Sequence, residues 1–423
     1  MTPSSRPNAL YAQAGGVSAV INTSMAAVIE TVRAHPDTFG TLYGARNGIL
    51  GVLKENLVNL SAVSDWELQR LKQLPGGALQ ACRFDLDPIE ENPAQYERVF
   101  QVLKAWNIRY FFYNGGNGSM LTAQKVADYC AQHGHELNVI GVAKTIDNDL
   151  ALTHCSPGYG STAKFFATSL LESALDLRAM YPTSTRVFLM EAMGRHTGWI
   201  ALSAALVQDR LPELPLLILF PERVFDYAQT LKRIRHCIAE HGYCVVIVGE
   251  GIKTADGQFY AVARPNREHM GWSQMGGAAI KLADELRRDL DTKIHAAVPD
   301  YLQRSAAHLV SSVDWALAYD AGKASVEAAV RGEAGVLPIV VKTGEKPFTW
   351  RFESCSLEKI ADLEKTVPDE FITDDGYGAT EAGKAYVREL IQGEHPINWR
   401  DGLPDLYPLH LAALPKRLPD WQA

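Results

Sequence analysis

Two carboxylates stand two residues apart in the segment Ala143-Lys-Thr-Ile-Asp-Asn-Asp149, directly after the apolar run Val139–Val142. This pair suits phosphoryl transfer, because one carboxylate can accept a hydroxyl proton while the other holds Mg²⁺. An Asp of ordinary pKa, about 3.9, is a weak base for an alcohol unless it is positioned to take the proton as the new bond forms. On spacing alone, an Asx-rich turn that caps the next helix is the alternative interpretation.

A second segment, Asn114-Gly-Gly-Asn-Gly-Ser119, follows the run Tyr110–Tyr113 and opens a predicted helix. Backbone amides in such a turn can bind phosphate, and the Ser119 hydroxyl adds a donor. The spacing is neither GxGxxG nor GxxxxGK[ST], which argues against a dinucleotide-dependent dehydrogenase and against a P-loop enzyme. The segment therefore predicts a phosphate-binding loop of another kind.

A third segment, Glu191-Ala-Met-Gly-Arg-His-Thr-Gly-Trp199, also follows an apolar run. It presents Arg195 beside a predicted backbone turn, where a guanidinium can bind an anion through two parallel hydrogen bonds. For His196 we favour a local hydrogen bond over a role in chemistry.

Short β-rich runs alternate with longer helical patterns along most of the chain. This alternation is typical of an α/β fold, in which helices cover a mainly parallel sheet. Several runs are continuously apolar, as expected for strands buried on both faces. The predicted strands are Asn8–Ala12, Tyr110–Tyr113, Val139–Val142, Arg186–Met190, Leu216–Phe220 and Tyr243–Val248, and the predicted helices include Ser18–Val32, Met120–His133, Thr162–Ala179 and Phe225–His241.

Glycines cluster where these predicted strands end. In open α/β sheets, ligands bind beyond the carboxyl ends of the strands, and glycine lets the backbone approach a phosphate closely. A single glycine turn is equally well explained as a tight connection, but several on one chain favour a phosphorylated ligand. The glycines concerned are Gly15, Gly16, Gly115, Gly116, Gly158, Gly160, Gly194, Gly249 and Gly251.

The composition sets limits on the class of protein. A chain of 423 residues predicts two or three domains, and 41 Lys+Arg against 49 Asp+Glu give a net charge of −8, which argues against nucleic-acid binding. No apolar run approaches the roughly 20 residues that span a bilayer, and we expect no secretory signal. The six cysteines show no CxxC spacing, so we expect reduced thiols in a cytoplasmic protein.

Taken together, these segments resemble the phosphofructokinase family, the enzymes that phosphorylate fructose 6-phosphate, from about Asn8 to Gly332. Gly15–Asn22 is similar to the family's first phosphate loop and Gly76–Arg83 to its second. The segments KTIDND and EAMGRHTGW are similar to specific signatures of the family, and Tyr301–Arg304 resembles a third.

The resemblance implies two Rossmann-like three-layer α/β domains with mainly parallel sheets. We expect a donor-binding domain over residues 1–157, completed by residues 305–335, and a sugar-phosphate-binding domain over residues 158–304. From about Glu333 onwards the chain is rich in proline, so we expect residues 336–423 to be a helical or irregular C-terminal extension rather than another part of a sheet.

The resemblance also implies roles for individual residues. Asp147 would be the general base on the 1-hydroxyl of the sugar, assisted by Lys144 on the donor side, and Asp149 would support the Mg²⁺–phosphate assembly. The implied sugar-phosphate contacts are Thr145, Asp147, Met193, Gly194, Arg195, Glu250, Tyr301 and Arg304, and the implied donor contacts are Gly15, Gly16, Arg83, Gly116, Gly118, Ser119 and Lys144.

Arg186 is similar to an arginine that reaches the site of a neighbouring subunit, which implies a homo-oligomer. We favour a homodimer over a tetramer. For Arg186 alone, a solvated charge at the end of a strand is an equally good interpretation.

The chain departs from the family pattern at two positions. Asn117 stands where the family usually has an Mg²⁺-binding Asp, and an amide oxygen is a weaker, neutral ligand. His295 stands where many relatives have a phosphate-binding arginine, so that contact would depend on pH.

The phosphoryl donor is the open question. Gly118 resembles the ATP-dependent members, in which glycine leaves room for the α-phosphate, whereas pyrophosphate users usually have Asp there. Lys144 resembles the pyrophosphate users, in which an ammonium group neutralises charge on the departing phosphate. The segments YFFYN, DYLQR and Phe371–Gly378 are closer to the bacterial pyrophosphate-dependent branch. We therefore predict reversible, Mg²⁺-dependent transfer from pyrophosphate, with an ATP-dependent enzyme as the alternative and a non-catalytic sugar-phosphate sensor as the second alternative.

Overall fold

The computed structural model describes residues 6–262, 276–360 and 363–422. The strands are β1 Asn8–Gln13, β2 Leu42–Ala45, β3 Leu57–Asn59, β4 Ile108–Gly115, β5 Asn138–Ala143, β6 Thr185–Ala192, β7 Leu216–Leu219, β8 Cys244–Gly249, β9 Lys293–Ala297, β10 Val336–Glu345, β11 Phe348–Ser356, β12 Trp399–Arg400 and β13 Leu403–Pro404. The α-helices are α1 Ile21–Ala34, α2 Gly48–Leu53, α3 Asp65–Leu71, α4 Pro93–Ala105, α5 Asn117–Gln132, α6 Tyr159–Met180, α7 Trp199–Ser203, α8 Tyr227–His241, α9 Ala278–Asp289, α10 Leu302–Ser305, α11 Ser312–Val330 and α12 Glu381–Leu390. No helix in these ranges is long and apolar enough to cross a membrane.

The chain divides into two compact units. Unit 1 comprises Met1–Gly158, Ser312–Glu364 and Gly393–Ala423, and unit 2 comprises Tyr159–Ser311 and Lys365–Gln392. Each unit contains a mainly parallel sheet, so the predicted α/β class is confirmed. The functional roles expected for the two domains remain predictions.

Unit 1 is built on a seven-stranded sheet with the order β11-β10-β5-β4-β1-β2-β3. The strand pairs β1–β2, β1–β4, β4–β5 and β5–β10 are parallel, whereas the two outermost strands, β3 and β11, pair antiparallel with their neighbours. Successive residues of β1 point to opposite faces, so Tyr11 packs with Met25 of α1 on one face and Leu10 packs with Val102 of α4 on the other. Helices on both faces explain why the central strands are continuously apolar.

Unit 2 contains a four-stranded, all-parallel sheet with the order β7-β8-β6-β9. Apolar residues of β6 and β8 form its core with α8 and α9; examples are Val187, Val246, Ile234 and Leu282. The carboxyl ends of β6 and β8 lie side by side, with Ala192 opposite Gly249.

The expectation of a helical or irregular chain after Glu333 was wrong for residues 336–356, which form two strands, and for the short hairpin of β12 and β13. Strand β10 adds to the sheet of unit 1 at Val336, opposite Ile140, and β11 pairs with it along nearly its whole length. The later residues do not form a unit of their own, because residues 365–392 belong to unit 2 and residues 393–423 return to unit 1. In β11 the apolar residues alternate with polar ones, as they do in a strand at the edge of a sheet with one solvated face.

The last residues of unit 1 pack against its first 60 residues. The amide of Leu414 donates to the carbonyl oxygen of Leu57 at 2.8 Å. The carboxylate of Glu55, which is fully buried, accepts from the amides of Arg417 at 2.6 Å and Leu418 at 3.1 Å, and from the indole of Trp106 at 2.7 Å. The C-terminal segment therefore supplies two of the hydrogen bonds that a buried carboxylate needs.

Candidate active site

Unit 1 contains three loops that we call the phosphate loops: residues 15–16 after β1, residues 76–83 between α3 and α4, and residues 116–119, which follow β4 and begin α5. The first two lie side by side, because Ala14 pairs with Cys82 and the Gly15 amide donates to the Cys82 carbonyl at 3.0 Å. Gly15 has φ +72°, a conformation that glycine adopts without strain. Arg83 follows Cys82 and its side chain is exposed.

Buried amide side chains hold the second phosphate loop in place. Asn22 of α1 donates to the carbonyl oxygens of Leu74 and Gly76, at 2.8 and 2.6 Å, and accepts from the amide of Ala78. Gln13 bonds Asn22 through its amide nitrogen, at 3.0 Å. Asn22 thus supplies hydrogen-bond partners for backbone groups in and next to the loop.

The third phosphate loop caps α5. Gly116 precedes the helix, and its carbonyl oxygen accepts from the amide of Ser119 at 3.0 Å. Ser119 is buried, and its hydroxyl lies where a side chain on Gly115 would have to be, so residue 115 must be glycine. A side chain at residue 118 would meet one group within 4 Å, the carboxylate of Asp85, at 3.6 Å.

Lys144 connects these loops. Its side chain is 4% exposed, its backbone amide donates to Gly115 at the end of β4, and its ammonium group donates to the carbonyl oxygen of Gly16 after β1. A side chain on Gly15 would begin 3.5 Å from the ammonium nitrogen. A positive charge is thus held among the phosphate loops.

The carboxylates of the 143–149 segment follow β5 in a tight turn. The Asp147 amide donates to the Thr145 hydroxyl oxygen at 3.1 Å, and the Thr145 amide donates to Pro157 at 3.3 Å. Asn148 has φ +53°, is fully buried, and accepts from the Ser156 amide at 2.9 Å. Asn148 therefore anchors the turn between Asp147 and Asp149, and both of these residues are half-buried.

Asn117 and Asp149 were the predicted Mg²⁺ ligands, and the structure brings them together. The Asn117 amide nitrogen donates to the Asp149 carbonyl at 3.4 Å, and both Asn117 Oδ1 and Asp149 Oδ1 are buried without a hydrogen-bond partner. Burial raises the pKa of Asp149, the Thr145 hydroxyl and Lys144 oppose this shift, and Glu364 adds to it. Two orphaned oxygens of the type that Mg²⁺ prefers fit this ion, although no group of three acidic, His or Cys side chains suited to a metal occurs in the described ranges.

Unit 2 contributes a second group of predicted residues, in the loop 193–195 after β6. The Met193 amide donates to Gln303 at 3.1 Å, and the Gly194 amide donates to the Glu250 carboxylate at 3.1 Å. Glu250 follows β8, and its own amide donates to Ala192 at 2.9 Å. Gly194 has φ +133°, and a side chain there would clash with the carbonyl oxygen of Thr197. The loop is therefore fixed by its neighbours, with Arg195 half-buried at its end.

Two carboxylates of unit 2, the half-buried Glu250 and the buried Glu191, follow or end the neighbouring strands β8 and β6. The pKa of Glu250 is raised, chiefly by burial and further by the negative charge of Glu191. The hydrogen bond from Gly194 and the positive charge of Arg195 oppose this shift. Glu191 accepts from the amides of Gly277 and Ala279, at 2.9 and 2.8 Å, at the start of α9. Glu191 thus caps a helix, whereas Glu250 supports the 193–195 loop.

Of the other predicted residues of unit 2, Tyr301 and Arg304 flank Gln303, which bonds the 193–195 loop. The Arg304 guanidinium stacks on the Tyr301 ring, 4.1 Å from its centroid, and Tyr301 is 64% exposed. Arg186 is exposed near the beginning of β6, whereas Arg195 lies beyond its end. At about 3.3 Å per strand residue, the backbone of Arg186 lies roughly 20 Å from the end of the strand. Arg186 is therefore not part of the 193–195 group in the same chain. His295 is exposed on β9, and the His196 ring lies beside Phe259.

Sequence reasoning missed the roles of three residues that lie next to the predicted loops. Gln303 stood inside the quoted segment 301–304 but was given no role, although it is fully buried and bonds the 193–195 loop. Glu191 is the first residue of the third segment, and nothing in the sequence around it indicates that its carboxylate caps α9. Asp85 lies two residues beyond the second phosphate loop, and no periodic pattern in that part of the chain indicates its position.

The family model of phosphofructokinase matches residues 8–329 of the chain. A protein of Methylococcus capsulatus named pyrophosphate–fructose 6-phosphate 1-phosphotransferase is 46% identical, with 97% of this chain and 98% of the relative covered. A protein of Xanthomonas campestris with the same name is 45% identical, with 98% and 99% covered. A crystal structure of a pyrophosphate-dependent phosphofructokinase from Nitrosospira multiformis superposes with a TM-score of 0.90 at 41% identity, and covers 99% of this chain and 100% of that one. The arrangement of the loops and these full-length similarities agree: the chain belongs to the phosphofructokinase family.

Proposed function

We propose that the protein transfers a phosphoryl group from pyrophosphate to the 1-hydroxyl of fructose 6-phosphate, giving fructose 1,6-bisphosphate and phosphate. The names of the full-length relatives support this donor and this acceptor. The observation that carries the proposal is the ammonium group of Lys144 among the phosphate loops, bonded to Gly16. Unit 1 would bind the donor, and unit 2 would bind the sugar phosphate.

In this mechanism, Asp147 takes the proton of the 1-hydroxyl as that oxygen forms its bond to phosphorus. The bridging P–O bond of pyrophosphate breaks, and its electron pair leaves with the departing phosphate. Lys144 neutralises the charge that develops on that phosphate, which is worth most for a donor without a nucleoside to help position it. The turn at Thr145 and Asn148 positions Asp147, so a carboxylate of ordinary basicity can act.

Asn117 and Asp149 would hold Mg²⁺ with their orphaned oxygens. Bound Mg²⁺ would neutralise charge on the phosphate oxygens of the donor. Because Asn117 is neutral, much of the coordination would come from the donor itself.

On the sugar side, Glu250 would accept hydrogen bonds from sugar hydroxyls beside the 193–195 loop, and Arg195 and Arg304 would bind anionic oxygens. The exposed Tyr301 would pack beside the 6-phosphate.

Arg186 lies at the far end of β6, and this position supports a role in the site of a second copy. We propose a homodimer, to be tested by light scattering of the wild type and by activity of an Arg186→Ala variant.

The state of the cysteines bears on the cellular compartment in which the protein acts. All six cysteines lie within the described ranges and none is in a disulfide. Reduced thiols agree with a reducing compartment, and we propose the cytoplasm.

The test is the initial rate of fructose 6-phosphate phosphorylation with Mg²⁺ and either pyrophosphate or ATP. We expect turnover with pyrophosphate, and formation of pyrophosphate from fructose 1,6-bisphosphate and phosphate in the reverse direction. Turnover with ATP alone would replace the proposed donor; Gly118, which leaves space beside α5, is the observation that favours that candidate. No turnover with either donor, together with measurable sugar-phosphate binding, would identify a sensor.

A further inference from the structure

Two groups of opposite charge lie at the phosphate loops, the Lys144 ammonium and the Asp85 carboxylate. Next to Gly116 lies the backbone of Lys144, whose carbonyl oxygen is 3.6 Å from where a side chain on residue 116 would begin, and the Lys144 ammonium lies among the loops. Next to Gly118 the single group within 4 Å is the Asp85 carboxylate. The positive charge therefore lies beside Gly15 and Gly16, which we call the Lys144 side, and a negative charge faces Gly118.

Asp85 reaches this position from a different part of the chain. It precedes Gly118 by 33 residues and lies in the irregular segment between α3 and α4. Its side chain is exposed, and it makes no hydrogen bond or ion pair with any residue that the structure describes. Its negative charge is therefore not neutralised by a neighbouring side chain, and Arg83 does not come within 4 Å of the point where a residue-118 side chain would begin.

We propose that Asp85 selects the phosphoryl donor by repelling any polyphosphate that extends beyond the Lys144 side of the loop. This inference rests on the proposed function. Pyrophosphate, with two phosphoryl groups, can remain next to the ammonium group. A nucleoside triphosphate carries a further phosphoryl group, which would have to pass Gly118 and meet the carboxylate. Asp85 thus excludes the longer anion by like-charge repulsion, which is a selection against the wrong ligand.

This role explains how a glycine at residue 118 is compatible with pyrophosphate use. Gly118 leaves the volume open, so the loop cannot exclude ATP by its own side chain. The carboxylate that faces the opening comes instead from residue 85. Residue 118 has space for a side chain and a backbone without positive φ, so the same charge can be moved there by substitution.

The test moves this charge between the two positions. The quantity measured is the ratio of kcat/KM with ATP to kcat/KM with pyrophosphate, for the wild type, Asp85→Asn, Gly118→Asp, and the double variant. We expect Asp85→Asn to raise the ratio about 10-fold or more, because the repulsive charge is lost. In the double variant the ratio returns towards the wild-type value, because a carboxylate again faces the opening.

Two further measurements separate this role from others. The Kd of MgADP, measured by calorimetry, falls in Asp85→Asn if the carboxylate repels the nucleotide. The matched control is Glu91→Gln, which removes one exposed negative charge from the same segment between α3 and α4 and leaves the ratio unchanged. A melting curve of each variant confirms folding, and Asp85→Ser replaces Asp85→Asn if the latter does not fold.

The outcomes are distinct. If the wild type uses ATP and not pyrophosphate, the proposed function fails before any variant is measured. If the wild type uses pyrophosphate and Asp85→Asn leaves both the ratio and the MgADP affinity unchanged, the role of Asp85 is wrong. A loss of pyrophosphate use in Asp85→Asn that high Mg²⁺ restores would also overturn it, because Asp85 would then hold the metal.

Discussion

The ammonium group of Lys144, which follows β5, donates a hydrogen bond to the carbonyl oxygen of Gly16, which follows β1. Strand β4 lies between these two strands, and the Lys144 amide is bonded to its end at Gly115. One residue therefore connects the carboxyl ends of three neighbouring strands, and it brings a buried positive charge to the edge of the sheet where phosphate is expected.

Replacing Lys144 by Met keeps most of the side-chain volume and removes the charge. We expect kcat/KM for pyrophosphate to fall by about 10²–10³-fold, the usual loss when a group that stabilises developing charge is removed. The KM for fructose 6-phosphate should change less than about 3-fold. Steady-state kinetics with each substrate varied checks this, with Lys54→Met, an exposed lysine of the same unit, as the control. Equal losses for both substrates would contradict a donor-side role.

Asp147→Asn should lower kcat by roughly 10²–10⁴-fold, the range for a lost general base, because the amide cannot accept the hydroxyl proton. Binding of fructose 6-phosphate, measured by calorimetry, should persist, since the Asp147 amide still bonds Thr145. The exposed Asp291 provides a matched substitution, Asp291→Asn, that should leave kcat unchanged. Near-normal turnover of Asp147→Asn would remove Asp147 from the mechanism.

Asn117→Asp should increase the affinity for Mg²⁺, because a carboxylate replaces a neutral amide next to Asp149. Without Mg²⁺ the two buried carboxylates repel each other, so the melting temperature should fall by several degrees, and added Mg²⁺ should restore it. Melting curves against Mg²⁺ concentration measure both effects. An Mg²⁺ response identical to that of the wild type would show that residue 117 is not a ligand.

Glu250→Gln should make stability less dependent on pH. Burial raises the pKa of Glu250 above its ordinary 4.5, so the folded state favours the protonated form. Its contribution to stability is complete below 4.5 and is lost as the pH rises through the raised pKa. The variant is neutral throughout, so its melting temperature should match the wild type near pH 4.5 and exceed it at pH 8 by about 2–4 °C.

The same substitution should weaken sugar binding. The Gln side chain still accepts from Gly194, but the charge-assisted bonds to sugar hydroxyls are lost, and KM for fructose 6-phosphate should rise about 10-fold. A melting-temperature difference that does not change with pH would contradict the assignment of the raised pKa to this residue.

Gly194→Ala tests whether the conformation of the 193–195 loop is required. The substitution forces a side chain onto φ +133° and into the Thr197 carbonyl, so we expect a loss of about 1–3 kcal/mol in the free energy of unfolding and a higher KM for the sugar phosphate. Gly257→Ala is the control, because Gly257 has φ +77° but open space around it. It should lose only about 1 kcal/mol and leave KM unchanged.

The elements that hold the phosphate loops could be predicted from the sequence. Strands β1, β4 and β5 are buried on both faces, so their runs are continuously apolar, and glycines mark their ends. The proximity of Asn117 and Asp149 could also be predicted, because the two residues follow neighbouring parallel strands, β4 and β5.

Strands β10 and β11 were missed for two physical reasons. Pro338 lies inside β10, and proline in an apolar run argues against a strand. Strand β11 lies at the edge, where its apolar residues Phe348, Trp350 and Phe352 merely alternate with polar ones. The position of Asp85 was beyond prediction, because it depends on the path of an irregular segment and on contacts formed far along the chain.

The hydrogen bonds of Glu55 have a consequence for the synthesis of the protein. The amide of Arg417 that satisfies this carboxylate is 362 residues further along the chain, so at about 5–20 residues per second the ribosome delivers it roughly 20–70 s after Glu55. During that interval the nascent unit 1 carries a carboxylate that its finished core buries, and the sheet lacks β10 and β11 as well. Unit 1 therefore begins before unit 2 and is completed after it, and its early residues are exposed to chaperones and proteases until residues 393–423 emerge.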